Sequence, residues 1–293
     1  FYPPSVQWLS KDGLFPLRNI ILFGIGPVFT VLSLLGIAKL FLCHCELLCH
    51  PGLDPGSSFN KILKRVQDDK RIIVVSLILF WSLSFFFYQS FQFAKTMRYF
   101  LFLYPFLALL AGYFLSSISH RTVRTLLFLS AFVWTISFMH IYTVPHSRIQ
   151  ASKWMYNNIP NQKTIAWEYW DDPLPLVVSR NKKFIQLPLD MYQLPDSKEK
   201  WKLITKKLQY VDYISLSSNR LYGSIPRVPE LYPLASKYYA DLFAEKLRFQ
   251  KVAEFTSYPA LLFGPWKIEM NDDNSEEAFT VYDHPVVTIF KKV

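Results

Sequence analysis

The chain has 293 residues, of which 51% are hydrophobic and 17% are aromatic, and its formal net charge is +10. The aromatic content is high for a soluble domain, and the nine glycines form no phosphate-binding loop. Since the basic residues come without a zinc-finger or aromatic-interleaved basic motif, the charge does not indicate nucleic acid as a partner.

The long apolar runs lie before Pro145, and most charged residues lie after it. This asymmetry predicts a membrane domain over residues 1–145 and a water-exposed domain over residues 146–293. The sequence begins at Phe1 without a signal-peptide pattern, which we interpret as a segment of a longer chain.

A membrane helix needs about 20 apolar residues to cross the hydrocarbon layer. Four stretches meet this length and are predicted as transmembrane helices, at about 20–42, 72–94, 99–119 and 125–145. The predicted fold class is a polytopic α-helical membrane bundle followed by a small extracytoplasmic α/β domain.

The number of Lys and Arg residues on each side of these four stretches orients the chain. The loop Cys43–Arg71 and the turn between the third and fourth stretches hold seven such residues, and the opposite side holds four. This distribution places the loop in the cytoplasm and residues 146–293 outside it. The expected localisation is the cell membrane, as a multi-pass protein.

Within this loop, the stretch CHCELLCH contains Cys43, Cys45 and Cys49 together with His44 and His50. Cys and His side chains at short spacing are ligands for zinc or iron–sulfur centres. A reduced juxtamembrane cluster, with or without acyl groups, is the other interpretation, and both remain open.

The last 148 residues alternate short apolar runs with stretches of helical periodicity, which is typical of a small α/β layer domain. The predicted strands are Thr164–Glu168, Phe184–Leu187, Val211–Leu216, Lys251–Phe255 and Pro285–Phe290, and the predicted helices are Ser197–Gln209, with Asp196 or Ser197 as N-cap, and Leu231–Leu247. We expect a hairpin or an excursion over 257–278.

Two basic residues, Lys95 and Arg98, precede the third apolar stretch. Arg presents a planar fork of donors that suits phosphate oxygens, and Lys adds a compact positive charge. This pattern predicts donor-phosphate binding at Arg98 and Lys95. The competing interpretation is that both anchor the helix at the membrane interface together with Tyr99 and Tyr104.

The stretch AWEYWDDPLPL places three carboxylates, Glu168, Asp171 and Asp172, next to Trp170. Carboxylates in a loop after a strand suit general-base work or metal ligation, and Asp before Pro equally suits a turn. A divalent metal is therefore compatible with this loop, and no other cofactor is indicated. With Arg148 and Tyr99, these four residues are the candidate substrate-binding residues.

Several stretches resemble bacterial polyprenyl-phosphate-dependent membrane glycosyltransferases of the GT-C superfamily. The similarity is to the dolichyl-phosphate-mannose-protein mannosyltransferase-like and YYY membrane proteins. It lies in VQWLSKDGLFPLRNIILFGIG (6–26), MRYFLFLYPFLALLAGYFL (97–115), SRIQASKWMYNNIP (147–160), EYWDDPLP (168–175) and SEEAFTVYDHPVVTIFKK (275–292).

This resemblance implies the C-terminal portion of a membrane glycosyltransferase, a hexosyltransferase. Such an enzyme moves a sugar from a polyprenyl-phosphate donor to an extracytoplasmic acceptor, which is a glycan, a lipid or a protein. It also implies that Arg98, with Lys95, lies beside the donor phosphate. The catalytic carboxylate of the family lies in the first outward loop, which no stretch here matches, so the catalytic residue is expected upstream. A non-catalytic membrane protein, either a polysaccharide export component or a ligand-binding module, is the alternative.

Overall fold

The structure, a computed structural model, describes residues 13–49, 59–179 and 181–293, without the side chains of residues 43–72 and 75. The cluster of Cys43, Cys45, Cys49, His44 and His50 therefore lies outside the described side chains. The contacts between Cα atoms divide the chain into two compact units, Gly13–Thr135 and Ile136–Val293.

The first unit is helical. Its elements are α1 (Phe15–Asn19), a π-helical turn (Ile20–Gly24), α2 (Pro27–Cys49), α3 (Phe59–Ser90), a 3-10 helix (Met97–Leu103), α4 (Tyr104–Ser116), α5 (Arg121–Ala131) and the beginning of α6 (Val133–Met139). Helix α2 packs against α4, and the hydroxyl of Ser33 donates a hydrogen bond of 3.0 Å to the carbonyl of Leu107.

The expected polytopic helical bundle is wrong. Among the described residues, two helices are long and apolar enough to cross a membrane, Met97–Ser116 and Arg121–Asn158. A third span results only if the helices Phe15–Gly24 and Pro27–Leu42 are counted as one, although the chain bends by 116° between them.

Local breaks explain the difference. Gly26 takes a φ of +80°, a conformation that glycine adopts at little cost, and Pro27 then begins a new helix. The stretch predicted at 72–94 overlaps α3, which ends at Ser90, so its last four residues lie beyond the helix.

The second unit is an α/β domain. It contains the end of α6, a 3-10 turn (His140–Tyr142), α7 (Ser147–Asn158), β1 (Thr164–Glu168), β2 (Ile185–Leu189), α8 (Lys198–Gln209), β3 (Tyr213–Leu216), a 3-10 turn (Ile225–Arg227), α9 (Pro233–Phe243), β4 (Phe249–Phe255), β5 (Ala260–Phe263), β6 (Trp266–Glu269), α10 (Glu277–Thr280) and β7 (Val287–Lys292). Strand β1 has the predicted bounds, and Ser197 caps α8 by accepting a 3.3 Å hydrogen bond from the Lys200 amide.

Five strands form one mixed sheet in the order β2-β1-β3-β7-β4. Strands β2, β1 and β3 are parallel, whereas β7 pairs antiparallel with both β3 and β4. Strands β5 and β6 form a separate antiparallel hairpin inside the segment predicted as a hairpin or an excursion.

Both faces of the sheet are covered, because successive strand residues point to opposite faces. On one face, Ala166 and Ile214 belong to a buried cluster with residues of α8 and α9. On the other face, Ile165 and Tyr213 pack with Met155 of α7. The carboxyl ends of the parallel strands are thus held on a rigid scaffold.

Candidate functional site

The predicted site residues fall into two groups, one in each unit. We call Lys95, Arg98 and Tyr99 the basic entrance. We use the name β1–β3 cleft for Arg148, Asp171 and Asp172 with the residues that contact them at the carboxyl ends of β1 and β3.

The 3-10 helix of the basic entrance determines which side chains face outward. Its buried residues, Met97, Phe100 and Leu103, recur every third residue, which is the period of a 3-10 helix. The intervening Arg98 and Tyr99 are therefore exposed.

The guanidinium carbon of Arg98 lies 5.3 Å from the centre of the Tyr99 ring, within the range of a cation–π contact. Lys95 is half-buried in the extended segment before this helix. The basic entrance thus presents an exposed guanidinium at the second residue of the candidate span Met97–Ser116.

The β1–β3 cleft lies at the carboxyl ends of two adjacent parallel strands. The chain leaves β1 toward β2 on one side, then crosses by α8 to β3 on the other side. In open α/β sheets, ligands bind where the connections diverge in this way. The loop 169–172 and residues 217–220 meet at that point.

Arg148, in the first turn of α7, organises the cleft. Its guanidinium lies 3.2 Å from a carboxylate oxygen of Asp171 and 2.7 Å from one of Asp172, and its Nε donates a 3.1 Å hydrogen bond to the Ser217 carbonyl. The Asp171 side chain is only 3% exposed, whereas that of Asp172 is 59% exposed. Arg148 therefore neutralises a buried carboxylate and leaves the outer one accessible.

Three residues of the cleft were not predicted from the sequence: Ser218, Arg220 and Glu277. The Ser218 hydroxyl donates a 2.7 Å hydrogen bond to Asp171, and Arg220 forms a 2.9 Å ion pair with Glu277. Ser218 lies two residues after the end of β3 at Leu216, so its position at the same sheet edge as Asp171 was the available signal. Glu277 lies far along the chain and gave none.

Glu168, the last residue of β1, is buried at 2% exposure. Its Oε1 accepts a 2.6 Å hydrogen bond from the Tyr239 hydroxyl, and its Oε2 has no partner among the described residues. Burial raises the pKa of Glu168 to about 8, although the hydrogen bond from Tyr239 opposes this shift. The Glu168 carboxyl is thus protonated below about pH 8 and is buried inside the domain, so it is not exposed to a ligand at the surface.

Two exposed aromatic rings follow Glu168. Tyr169 is 52% exposed and Trp170 is 40% exposed, and their ring centres lie 5.8 Å apart. Trp170 has a φ of +90°, which is rare for a bulky residue and marks local strain. The loop therefore holds aromatic faces outward beside the accessible carboxylate of Asp172.

A cavity of about 260 Å³ adjoins the Arg220–Glu277 pair, with Asn219, Asp273 and His284 in its lining. His284 Nε2 lies 2.7 Å from a carboxylate oxygen of the buried Asp272. Because a carboxylate accepts hydrogen bonds, Nε2 is the donor in this contact. The cavity is small, and its lining contains both hydrogen-bond donors and acceptors.

Within the described part of the chain, no group of three or more His, Cys, Asp or Glu side chains is placed to hold a metal ion. In the β1–β3 cleft, the guanidinium of Arg148 occupies the position between the two aspartates that a cation would take.

Comparison with protein-family models, with curated protein sequences and with solved structures finds no match to this chain.

Proposed function

We propose that the chain is part of a membrane glycosyltransferase that moves a sugar from a polyprenyl-phosphate donor to an extracytoplasmic glycan, lipid or protein. The observation that carries this proposal is the exposed guanidinium of Arg98 at the beginning of a 20-residue helix apolar enough to cross a membrane.

The depth of Arg98 supports a phosphate as its partner. A helix of this length matches a hydrocarbon layer of about 30 Å, so a residue at its end lies at the level of lipid headgroups. The phosphate of a membrane-embedded polyprenyl chain lies at the same level. The planar fork of Arg98 can donate two hydrogen bonds to such a phosphate, and the ring of Tyr99 orients the guanidinium.

The chemistry of transfer gives this guanidinium a role. The acceptor oxygen forms a bond to the anomeric carbon of the sugar, the bond between that carbon and the phosphate oxygen breaks, and the electron pair of the broken bond stays on the leaving polyprenyl phosphate. A fixed cation beside that oxygen lowers the barrier, because negative charge develops there in the transition state. The general base that deprotonates the acceptor is assigned to none of the described residues, since Asp171 and Asp172 are paired with Arg148.

The β1–β3 cleft supplies features suited to a carbohydrate. Tyr169 and Trp170 present aromatic faces on which the apolar face of a sugar ring can stack, and Asp172 can accept hydrogen bonds from hydroxyl groups. Arg148 comes three residues after Pro145, where the apolar stretch of the last candidate span ends. The cleft is therefore attached directly to the end of a candidate membrane helix.

The test uses the protein in lipid nanodiscs with two probes of equal chain length, a polyprenyl phosphate and the corresponding polyprenol. We expect the phosphate to bind at least tenfold more tightly, because a charge-assisted hydrogen bond contributes about 1.5–3 kcal/mol. Arg98→Ala should abolish this preference. Arg121→Ala, which removes an exposed arginine at the beginning of the other candidate span, should retain it.

Equal binding of the two probes by the unmodified protein, or an unchanged preference in Arg98→Ala, would contradict the proposal. Either result would favour a non-catalytic membrane protein. In cells, Arg98→Ala should reduce sugar transfer at least tenfold without reducing the amount of protein in the membrane.

A further inference from the structure

The hairpin of β5 and β6 lies outside the five-stranded sheet and has one apolar face. Phe263 pairs with Trp266 and Leu261 pairs with Ile268, so these four side chains point to the same side. Trp266 is 74% exposed, Phe263 is 58% exposed and Ile268 is 53% exposed. We call these four residues the hairpin face.

The opposite side of the hairpin is mixed, because it carries Leu262, which is 59% exposed, opposite Lys267, and the buried Ala260 opposite Glu269. Lys267 and Glu269 alternate with the hairpin face along β6 and form a 2.7 Å ion pair. The hairpin face is therefore the more apolar of the two sides, and in water it would leave large apolar side chains uncovered. Such a surface normally marks contact with a membrane or a protein.

The place where the hairpin joins the α/β unit indicates that the hairpin face contacts a membrane rather than a protein. Strand β5 contacts the 3-10 turn His140–Tyr142, which belongs to the candidate membrane helix Arg121–Asn158. The side-chain amide of Gln150 donates two hydrogen bonds near the base of the hairpin. One, of 3.2 Å, goes to the hydroxyl of Ser257, just before β5, and the other, of 2.6 Å, goes to the carbonyl of Pro145. Pro145 ends the apolar stretch, so the base of the hairpin lies where that helix would leave the hydrocarbon layer.

We infer that the hairpin face inserts into the headgroup–acyl boundary of the membrane in which the chain is anchored. Trp and Phe are enriched at this depth, because their rings are amphipathic or apolar and flat enough to lie among the lipid headgroups. Tyr142 and Met139, at the end of the contacted helix, are also exposed, at 59% and 54%. The hairpin would then fix the α/β unit at the membrane surface by a second attachment besides the helix.

This inference rests on the membrane location in the proposed function and is independent of the polyprenyl-phosphate donor. The experiment uses the whole chain with Cys43, Cys45 and Cys49 replaced by Ser, in nanodiscs of phosphatidylcholine and phosphatidylglycerol. A nitroxide is attached at Phe263→Cys or, in a second variant, at Ile268→Cys. The matched control is Leu203→Cys on α8, because Leu203 is also an exposed apolar residue, at 65% exposure.

Collision rates of the nitroxide with oxygen and with a water-soluble nickel chelate report its depth. At positions 263 and 268 we expect the oxygen-to-nickel ratio to be at least fivefold higher than at position 203. Ratios equal to that at position 203 would overturn the inference. Exclusion of both reagents together with spin–spin broadening would show that a second copy covers the hairpin face, and this result would overturn it as well.

The two proposals fail separately. If the protein bound polyprenyl phosphate no better than polyprenol while position 263 lay in the lipid, the donor assignment would be removed and the hairpin would remain in the membrane. The reverse outcome would retain the donor site and remove the second attachment.

Discussion

At the scale of residues, Glu168 has a buried carboxyl group with one hydrogen-bonding partner among the described residues. Its carboxyl accepts a hydrogen bond from Tyr239 inside the domain, and burial raises its pKa to about 8. Between the unperturbed value of 4.5 and about 8, the folded protein holds a proton that the unfolded chain releases. The free energy of unfolding therefore falls as the pH rises through this window.

Glu168→Gln should remove this dependence, because Gln keeps an acceptor for Tyr239 and does not ionise. We expect the variant and the unmodified protein to unfold at similar temperatures at pH 4.5 and the variant to be more stable by a few kcal/mol at pH 8. Thermal unfolding followed by tryptophan fluorescence measures the difference. Glu230→Gln, the same substitution at an exposed position, is the control. If the unfolding temperatures of Glu168→Gln and the unmodified protein changed with pH in the same way, Glu168 would be ionised in the folded state and the expectation would be wrong.

The β1–β3 cleft shows which residues a sequence can predict. Asp171, Asp172 and Arg148 were identified because charged and aromatic residues lie close together in the chain or directly after an apolar stretch. Arg220 and Glu277 were missed, because their 2.9 Å pairing joins segments 57 residues apart. Only the fold brings such residues together.

At the scale of elements, α2 and α4 approach closely at Gly36. A methyl group at that position would overlap the backbone carbonyl of Leu110, which cannot move aside as a side chain can. Small residues that allow helix backbones to meet are typical of helix pairs in membranes.

Gly36→Ala should therefore lower the unfolding temperature of the protein in detergent, corresponding to about 1–3 kcal/mol of overpacking. Gly112→Ala is the matched control, because a methyl group at Gly112 of α4 meets nothing within 4 Å. It should be neutral or stabilise the helix by up to about 1 kcal/mol. Equal effects of the two substitutions would contradict the close approach of α2 and α4.

The strands were easier to predict than the ends of the apolar helices. Strand β1 is a short apolar run between turn-forming residues such as Asn161 and Asp171, so its bounds follow from the pattern. The first apolar stretch was predicted as one helix, because a hydropathy window does not register the bend that Gly26 and Pro27 introduce. The pairing of β7 between β3 and β4 depends on contacts distant in sequence and was not predicted.

At the scale of the whole molecule, the account requires Arg98 to lie at the outer surface of a membrane. The count of Lys and Arg that oriented the chain assumed four spans, whereas the described residues contain two qualifying helices, or three with the bent pair. One relation does not depend on the total number of membrane spans. If Met97–Ser116 crosses the membrane, then Arg98 at its beginning and Arg121 after its end lie on opposite sides.

Labelling of single cysteines tests this central claim most directly. In the chain with Cys43, Cys45 and Cys49 replaced by Ser, Arg98→Cys and Arg121→Cys are compared in intact cells with a thiol reagent that does not cross membranes. The account predicts that position 98 is labelled in intact cells and position 121 only after permeabilisation. Labelling of position 98 only after permeabilisation would place Arg98 on the cytoplasmic side and contradict the account.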